Sequence, residues 1–217
     1  TSYSGGFMLE KCCHDLDFYS WVVGCRPIKV ASFGGRSSFI PENSPALKGE
    51  ENLDIYKEYN LEGWESKEQV FDSDADIVDH QVAIIEYENG ATLAFHTNMK
   101  VPDEFRRFAI IGTKGMAEGD FVRGYLTAHN SHTGEKIFDE NFGAAFQQGT
   151  KGHYGADQLM VKDINNYLLD ESNHFLPVGV VDCMEAGLVA MKIDESRVKN
   201  QIIDLRDMWN KLDSYSL

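Results

Sequence analysis

The sequence predicts an α+β domain built on an open, mostly antiparallel sheet with helices on one face. Three observations carry this. The chain opens with one helical pattern, runs through a succession of short strand patterns joined by tight turns, and closes with two more helical patterns. That order leads to antiparallel pairing, whereas alternating strand and helix leads to a parallel sheet. Asn89-Gly90, the strongest short hairpin signal, separates two β-rich runs at 81–87 and 91–97. No G-x-G-x-x-G follows a strand pattern and no P-loop lysine motif occurs, so the chain shows no dinucleotide or triphosphate cradle of its own. With 217 residues, 42% of them hydrophobic, there is enough apolar mass for a core, and one large domain over 1–217 is expected.

Each element has its own warrant. Leu9, Cys12, Cys13, Leu16, Ser20 and Val23 recur at three and four residues, which predicts an amphipathic helix over 9–23. Gly24 ends it and Pro27 prevents its resumption. Ile28, Val30, Ser32 and Phe33 predict a strand that stops at Gly34-Gly35. After the hairpin at Asn89-Gly90, strands are expected at 105–111, 116–121, 125–129 and 136–141, with turns at Gly112–Gly115 and Thr133-Gly134. The strands at 81–87, 91–97, 105–111 and 136–141 are expected to share one sheet. Leu159, Met160, Ile164, Tyr167 and Leu168 give one face of a helix over 155–169. Met184, Gly187, Leu188 and Met191 do the same over 182–198, with Asp182 as its N-cap. A short strand at 201–205 closes the pattern.

Charge excludes several function classes. The net charge is −15, from 35 acidic and 20 basic residues, which argues against nucleic acid or an anionic membrane surface as the main partner. Nine of those negative charges fall within 41–80, where twelve acids face three lysines. With Pro41 and Pro45 at its start, the stretch reads as an acidic surface insertion over 36–79, with a short helix near 55–61. No apolar run reaches membrane length and no secretory signal opens the chain. Its first residue is Thr1, which fits processing or truncation. Cys12, Cys13, Cys25 and Cys183 lack any C-x-x-C spacing. They read as reduced thiols, with no metal site, in a cytoplasmic protein.

The densest polar cluster is Glu10-Lys11-Cys12-Cys13-His14-Asp15-Leu16-Asp17. On an α-helix Glu10 and His14 lie one turn apart on the same face, and Asp17 follows on that side. A carboxylate beside an imidazole orients the ring and raises its basicity, as a general base requires. An ordinary helix start, with acids in the first turn and Lys11 paired to Asp15, explains the same residues about as well. A second cluster, Gly152-His153-Tyr154-Gly155-Ala156-Asp157, places a histidine and free N–H groups where a helix opens. That suits a hydroxyl-rich or anionic ligand, though simple helix entry explains it too. His80, His96, His129, His132 and His174 have no comparable neighbours.

The segment Gly-Gly-Phe-Met-Leu-Glu-Lys-Cys-Cys-His-Asp-Leu-Asp-Phe-Tyr-Ser-Trp-Val-Val-Gly (residues 5–24), followed by Arg26-Pro27, resembles the opening of the second domain of the glucose–fructose oxidoreductase/inositol dehydrogenase (Gfo/Idh/MocA) family. Tyr87-Glu88-Asn89-Gly90-Ala91, Ile111–Gly115, the 152–157 turn and Glu195-Ser196-Arg197 are similar to the same family in the same order. The resemblance implies a C-terminal domain of the dihydrodipicolinate reductase/glyceraldehyde-3-phosphate dehydrogenase type. It also implies an N-terminal Rossmann domain, absent from these residues, that binds NAD(P). The parent would oxidise a sugar, a polyol or a similar hydroxyl substrate, and this piece alone would bind no cofactor and be inactive.

The family's helical D-x-x-x-H pair maps onto Glu10 and His14, with His14 taking the hydroxyl proton. His153, Asp157, Asp17 and Lys11 fall among the implied substrate contacts. The family's catalytic lysine belongs to the Rossmann domain and is not Lys11. The open sheet face implies a homo-oligomer. Two other readings stand beside this one. One is a stand-alone binding or assembly module, marked by the lack of an upstream G-x-G-x-x-G. The other is an NAD-assisted glycosidase relative, which cleavage of an aryl glycoside would reveal.

Overall fold

The computed structural model describes residues 4–44, 49, 71, 74–143, 155–169 and 175–215. The expected helix at 55–61, most of the acidic insertion, and His153 lie outside the described residues. The chain divides into two compact units, Thr1–Lys100 with Val178–Leu217, and Val101–Pro177.

The first unit begins with a π-helical turn, Met8–Cys12, which runs into α1, Cys13–Val23. Gly24 stops the helix as expected: its φ of +77° is open to glycine, and its N–H donates to the Ser20 carbonyl at 2.9 Å. Strands β1 (Pro27–Gly35), β2 (His80–Tyr87) and β3 (Thr92–Asn98) follow. Helix α3 (Val180–Lys199), the two-residue β8 (Ile203–Asp204) and helix α4 (Arg206–Asp213) complete the unit. The sheet order is β3-β2-β1-β8, antiparallel throughout.

Register decides which residues are inside. Val30 pairs with Ile85 and Ile85 with Leu93; Ser32 pairs with Ala83 and Ala83 with Phe95. Alternation along each strand puts this set on one face, where it meets the apolar sides of the π turn, α1, α3 and α4. Met8, Cys12, Leu16, Val189, Ile193 and Trp209 close that core. Each fully buried aliphatic side chain there, such as Ile85 or Leu16, contributes about 1.5–3 kcal/mol. The opposite face carries Phe33, Val82 and Ile84, which are 64%, 46% and 56% exposed. For this sheet the expectation of helices on one face holds.

Arg26 ties the ends of the unit together. Its guanidinium donates to Glu185 of α3 at 2.6 and 2.9 Å and to Asp213 at the end of α4 at 2.9 Å, and it lies 5.1 Å from the Trp209 ring centroid. Trp209 Nε1 donates to the Pro27 carbonyl at 2.6 Å. Ser196 on α3 accepts the Ser32 N–H at 3.0 Å and donates to the Gln201 carbonyl at 2.6 Å, joining β1 to the α3–β8 connection.

The second unit is a meander of β4 (Arg107–Ile111), β5 (Gly115–Asp120), β6 (Tyr125–Asn130) and β7 (Lys136–Asn141), with helix α2 (Ala156–Leu168). Asp120 anchors it from a buried position. Its carboxylate accepts the N–H groups of Arg106, Val122 and Arg123 and the Arg123 guanidinium. Burial pushes its pKa up, but those bonds outweigh burial and hold it below the ordinary carboxylate value.

The α+β class with antiparallel pairing is as expected. The single sheet is not: the strands at 81–87 and 91–97 belong to one sheet, those at 105–111 and 136–141 to another. Strand patterns report alternation but not partners, so this division carried no local signal. Asp182 is not the N-cap of α3 either. Gly179 holds that position, and Asp182, three residues on, accepts the Gly179 N–H at 2.7 Å. Helix α4 was not anticipated, although Met208, Trp209 and Leu212 have helical spacing. The expected apolar face of α2 is present in sequence, but α2 buries none of its residues.

Candidate functional site

The site predicted from the sequence centres on the first helical turns. Gly5 and Gly6 lead into them, and Gly6 has a φ of +87°. The carboxylate of Glu10 turns back and accepts the Gly5 N–H at 3.0 Å. It makes no hydrogen bond to His14. The expected contact assumed α-helical stacking at i,i+4. Residues Met8–Cys12 form a π turn, whose i→i+5 bonding changes that stacking.

His14 is exposed on the first turn of α1, and its Nδ1 lies 3.9 Å from the Cys13 thiol. Its Nε2 has no hydrogen-bond partner among the described residues, so that nitrogen is open to a ligand. The Cys13 thiol is pushed up chiefly by burial, so it stays a neutral neighbour at pH 7. Asp17, one turn further on, is half-buried. Burial pushes its carboxyl pKa up, Asp182 of α3 adds to the rise, His14 opposes it and Glu185 adds again. His14, Asp182 and Glu185 thus all act on the charge of Asp17. Sequence reading missed those two acids because they lie on a different helix, far along the chain.

Lys11 is exposed on the π turn. Asp157 is exposed in the first turn of α2, in the second unit. A cavity of about 430 Å³ in that unit is lined by Thr113, Lys114, Met116, His129 and Ile137 among others, and includes none of the predicted site residues.

His80, set aside at first as having no comparable neighbours, has one. Its Nδ1 lies 2.8 Å from Asp79 and 3.3 Å from the Ser37 hydroxyl. Asp79 is buried at the point where the insertion rejoins the sheet, and it also accepts the N–H groups of Ser37, Ser38 and Phe39. The cluster is a structural clasp across the neck of the insertion. Among the described residues, no group of three His, Cys, Asp or Glu side chains could hold a metal ion, and no helix is long and apolar enough to cross a membrane.

Residues 1–118 match the GFO/IDH/MocA C-terminal domain. The chain belongs to that family. It is 23% identical to YteT of Bacillus subtilis (strain 168), described as an oxidoreductase, over 200 residues that cover 75% of this chain and 47% of the relative. Among solved structures, a levoglucosan dehydrogenase in complex with NADH and levoglucosan is 16% identical with a TM-score of 0.64, covering 92% of this chain and 50% of that one. The scyllo-inositol dehydrogenase of Lactobacillus casei, with bound NAD(H) and scyllo-inositol, is 18% identical with a TM-score of 0.57, covering 94% and 49%. The chain spans about half the length of the relatives it matches.

Among the described residues, the glycine-bearing turn at 112–115 joins two antiparallel strands, not a strand to a helix whose N-terminus could take a pyrophosphate.

Proposed function

We propose that this chain is the substrate-binding and oligomerisation half of an NAD(P)-dependent oxidoreductase acting on the CH–OH group of a sugar or polyol. The observation that carries the reading is His14: an exposed imidazole whose Nε2 has no partner among the described residues, set on the first turn of α1 behind a glycine turn. Membership of an oxidoreductase family and similarity to two sugar and polyol dehydrogenases support it.

The redox step is the nicotinamide's chemistry, supplied from residues beyond those described. The work of this chain is to bind the polyol and manage its proton. His14 Nε2 accepts the hydroxyl proton when the alcohol is oxidised and returns it in the reverse direction. Asp17, one turn further on and half-buried, is a substrate contact in this reading. Glu10 acts at one remove, by bonding the Gly5 N–H and shaping the turn. Lys11, Asp157 and His153 are substrate contacts in this reading. The exposed apolar face of the first sheet is the surface for a second copy.

The test is His14→Ala in the full-length protein. General acid–base groups contribute roughly 10²–10⁴-fold, so kcat should fall by that order while cofactor affinity stays within about twofold. Near wild-type kcat on the true substrate would remove His14 from the reaction.

A further inference from the structure

Gln81 lies near the start of β2 with no exposed surface. Its Nε2 donates to the Ser32 hydroxyl at 3.0 Å and to Asp194 Oδ1 at 3.2 Å, while its Oε1 is buried without a partner among the described residues. The amide orientation follows from the chemistry, since a carboxylate can only accept. A buried acceptor left unmatched is costly, and an apolar side chain of the same volume would avoid that cost. What the glutamine supplies is its donor pair, and one of those donors holds Asp194.

Asp194 leads to the candidate site. It sits near the end of α3, and Arg197 reaches the same Oδ1 at 3.4 Å. The other oxygen, Oδ2, lies 3.4 Å from where a Cβ on Gly6 would stand. Gly6 has the left-handed backbone, so a side chain there would be strained, with the carboxylate at van der Waals distance from it. On the same turn, Gly5 donates to Glu10. Leu9 closes the contact from the other side, because its Cδ1 comes within 3.5 Å of where a Cβ on Gly187 of α3 would stand. Hydrogen bonds thus run from the sheet through Gln81 to Asp194, whose other oxygen stands beside Gly6, and the neighbouring Gly5 bonds Glu10.

We propose that Asp194 and Gln81 are positioning residues that set the Gly5-Gly6 turn, and through it the helix start that presents His14. The proposal rests on the proton-transfer reading of His14, but its first readout does not. The Gly5 amide proton, assigned by glycine-selective labelling, reports the bond to Glu10. Glu10→Ala gives its position with that bond gone.

In Asp194→Ala, in the full chain, the Gly5 resonance should move most of the way to the Glu10→Ala position while the amides of Cys13–Val23 stay in place. Asp194→Asn, which keeps an acceptor oxygen for Gln81, should restore most of the wild-type position. Should Asp194→Ala not fold, Gln81→Met, matched in volume, carries the same reading. In the full-length protein the Ala variant should lower kcat on the order of tenfold with KM little changed, within the ~10²-fold that small misplacements cost. A Gly5 resonance unmoved in the folded Asp194→Ala or Gln81→Met protein overturns the proposal. A His14→Ala enzyme with full kcat would instead remove the acid–base reading and leave the spectral result standing.

Discussion

Asp79 shows how one residue can hold a segment. Burial pushes its carboxyl pKa up, but the hydrogen bonds from His80, Phe39, Ser38 and Ser37 outweigh burial and leave the pKa below the ordinary value. A carboxyl so lowered stabilises the fold at pH above its unfolded value of about 3.9. That stabilisation is lost as pH falls through the folded value. Asp79→Asn should therefore cost about 1–3 kcal/mol at pH 7, and the difference should be smaller at pH 3. Urea midpoints of both proteins at the two pH values check this; an equal deficit at both would place the loss in packing rather than charge. Only half of this cluster was legible. Asp79 and His80 are adjacent in the sequence, but the three N–H groups come from the far side of the insertion, where no local pattern points to them. The Glu10 carboxylate turns to the Gly5 N–H rather than to His14 for a related reason. Spacing of four implies contact only if the turn is α-helical, and nothing in Met8–Cys12 announces a π turn.

At the scale of elements, periodicity located nearly everything and partners almost nothing. Helix α1 ends at Gly24 and the strand at 136–141 falls where alternation put it. The separation into two sheets, and the docking of α4, depend on contacts made between distant segments. Arg26 is the clearest case. It reads as a lone cation before Pro27, yet it joins β1 to Glu185, Asp213 and the Trp209 ring. Arg26→Met keeps much of the stem and removes the ion pairs and the cation–π contact, and should cost about 1–2 kcal/mol. Because its partners are partly exposed, the gap between variant and wild type should narrow between low salt and 1 M salt. Thermal melts at both salt levels decide it, and a gap independent of salt would assign the loss to packing alone.

For the whole molecule, the first sheet leaves Phe33, Val82 and Ile84 exposed on the face away from its helices. Contiguous apolar surface of that kind marks an interaction site, and a second copy is the proposed occupant. Light scattering at micromolar concentration should report a dimer or larger, and Val82→Lys with Ile84→Lys should return monomer; monomer in the unaltered protein would remove the claim. The proposed division of labour is that this half binds the polyol and manages its proton while another half holds the cofactor. Fluorescence titration with NADH tests it most directly, on residues 1–217 and on the full-length protein side by side. The account predicts saturable binding by the full-length protein and none by residues 1–217; micromolar binding to residues 1–217 alone would contradict it.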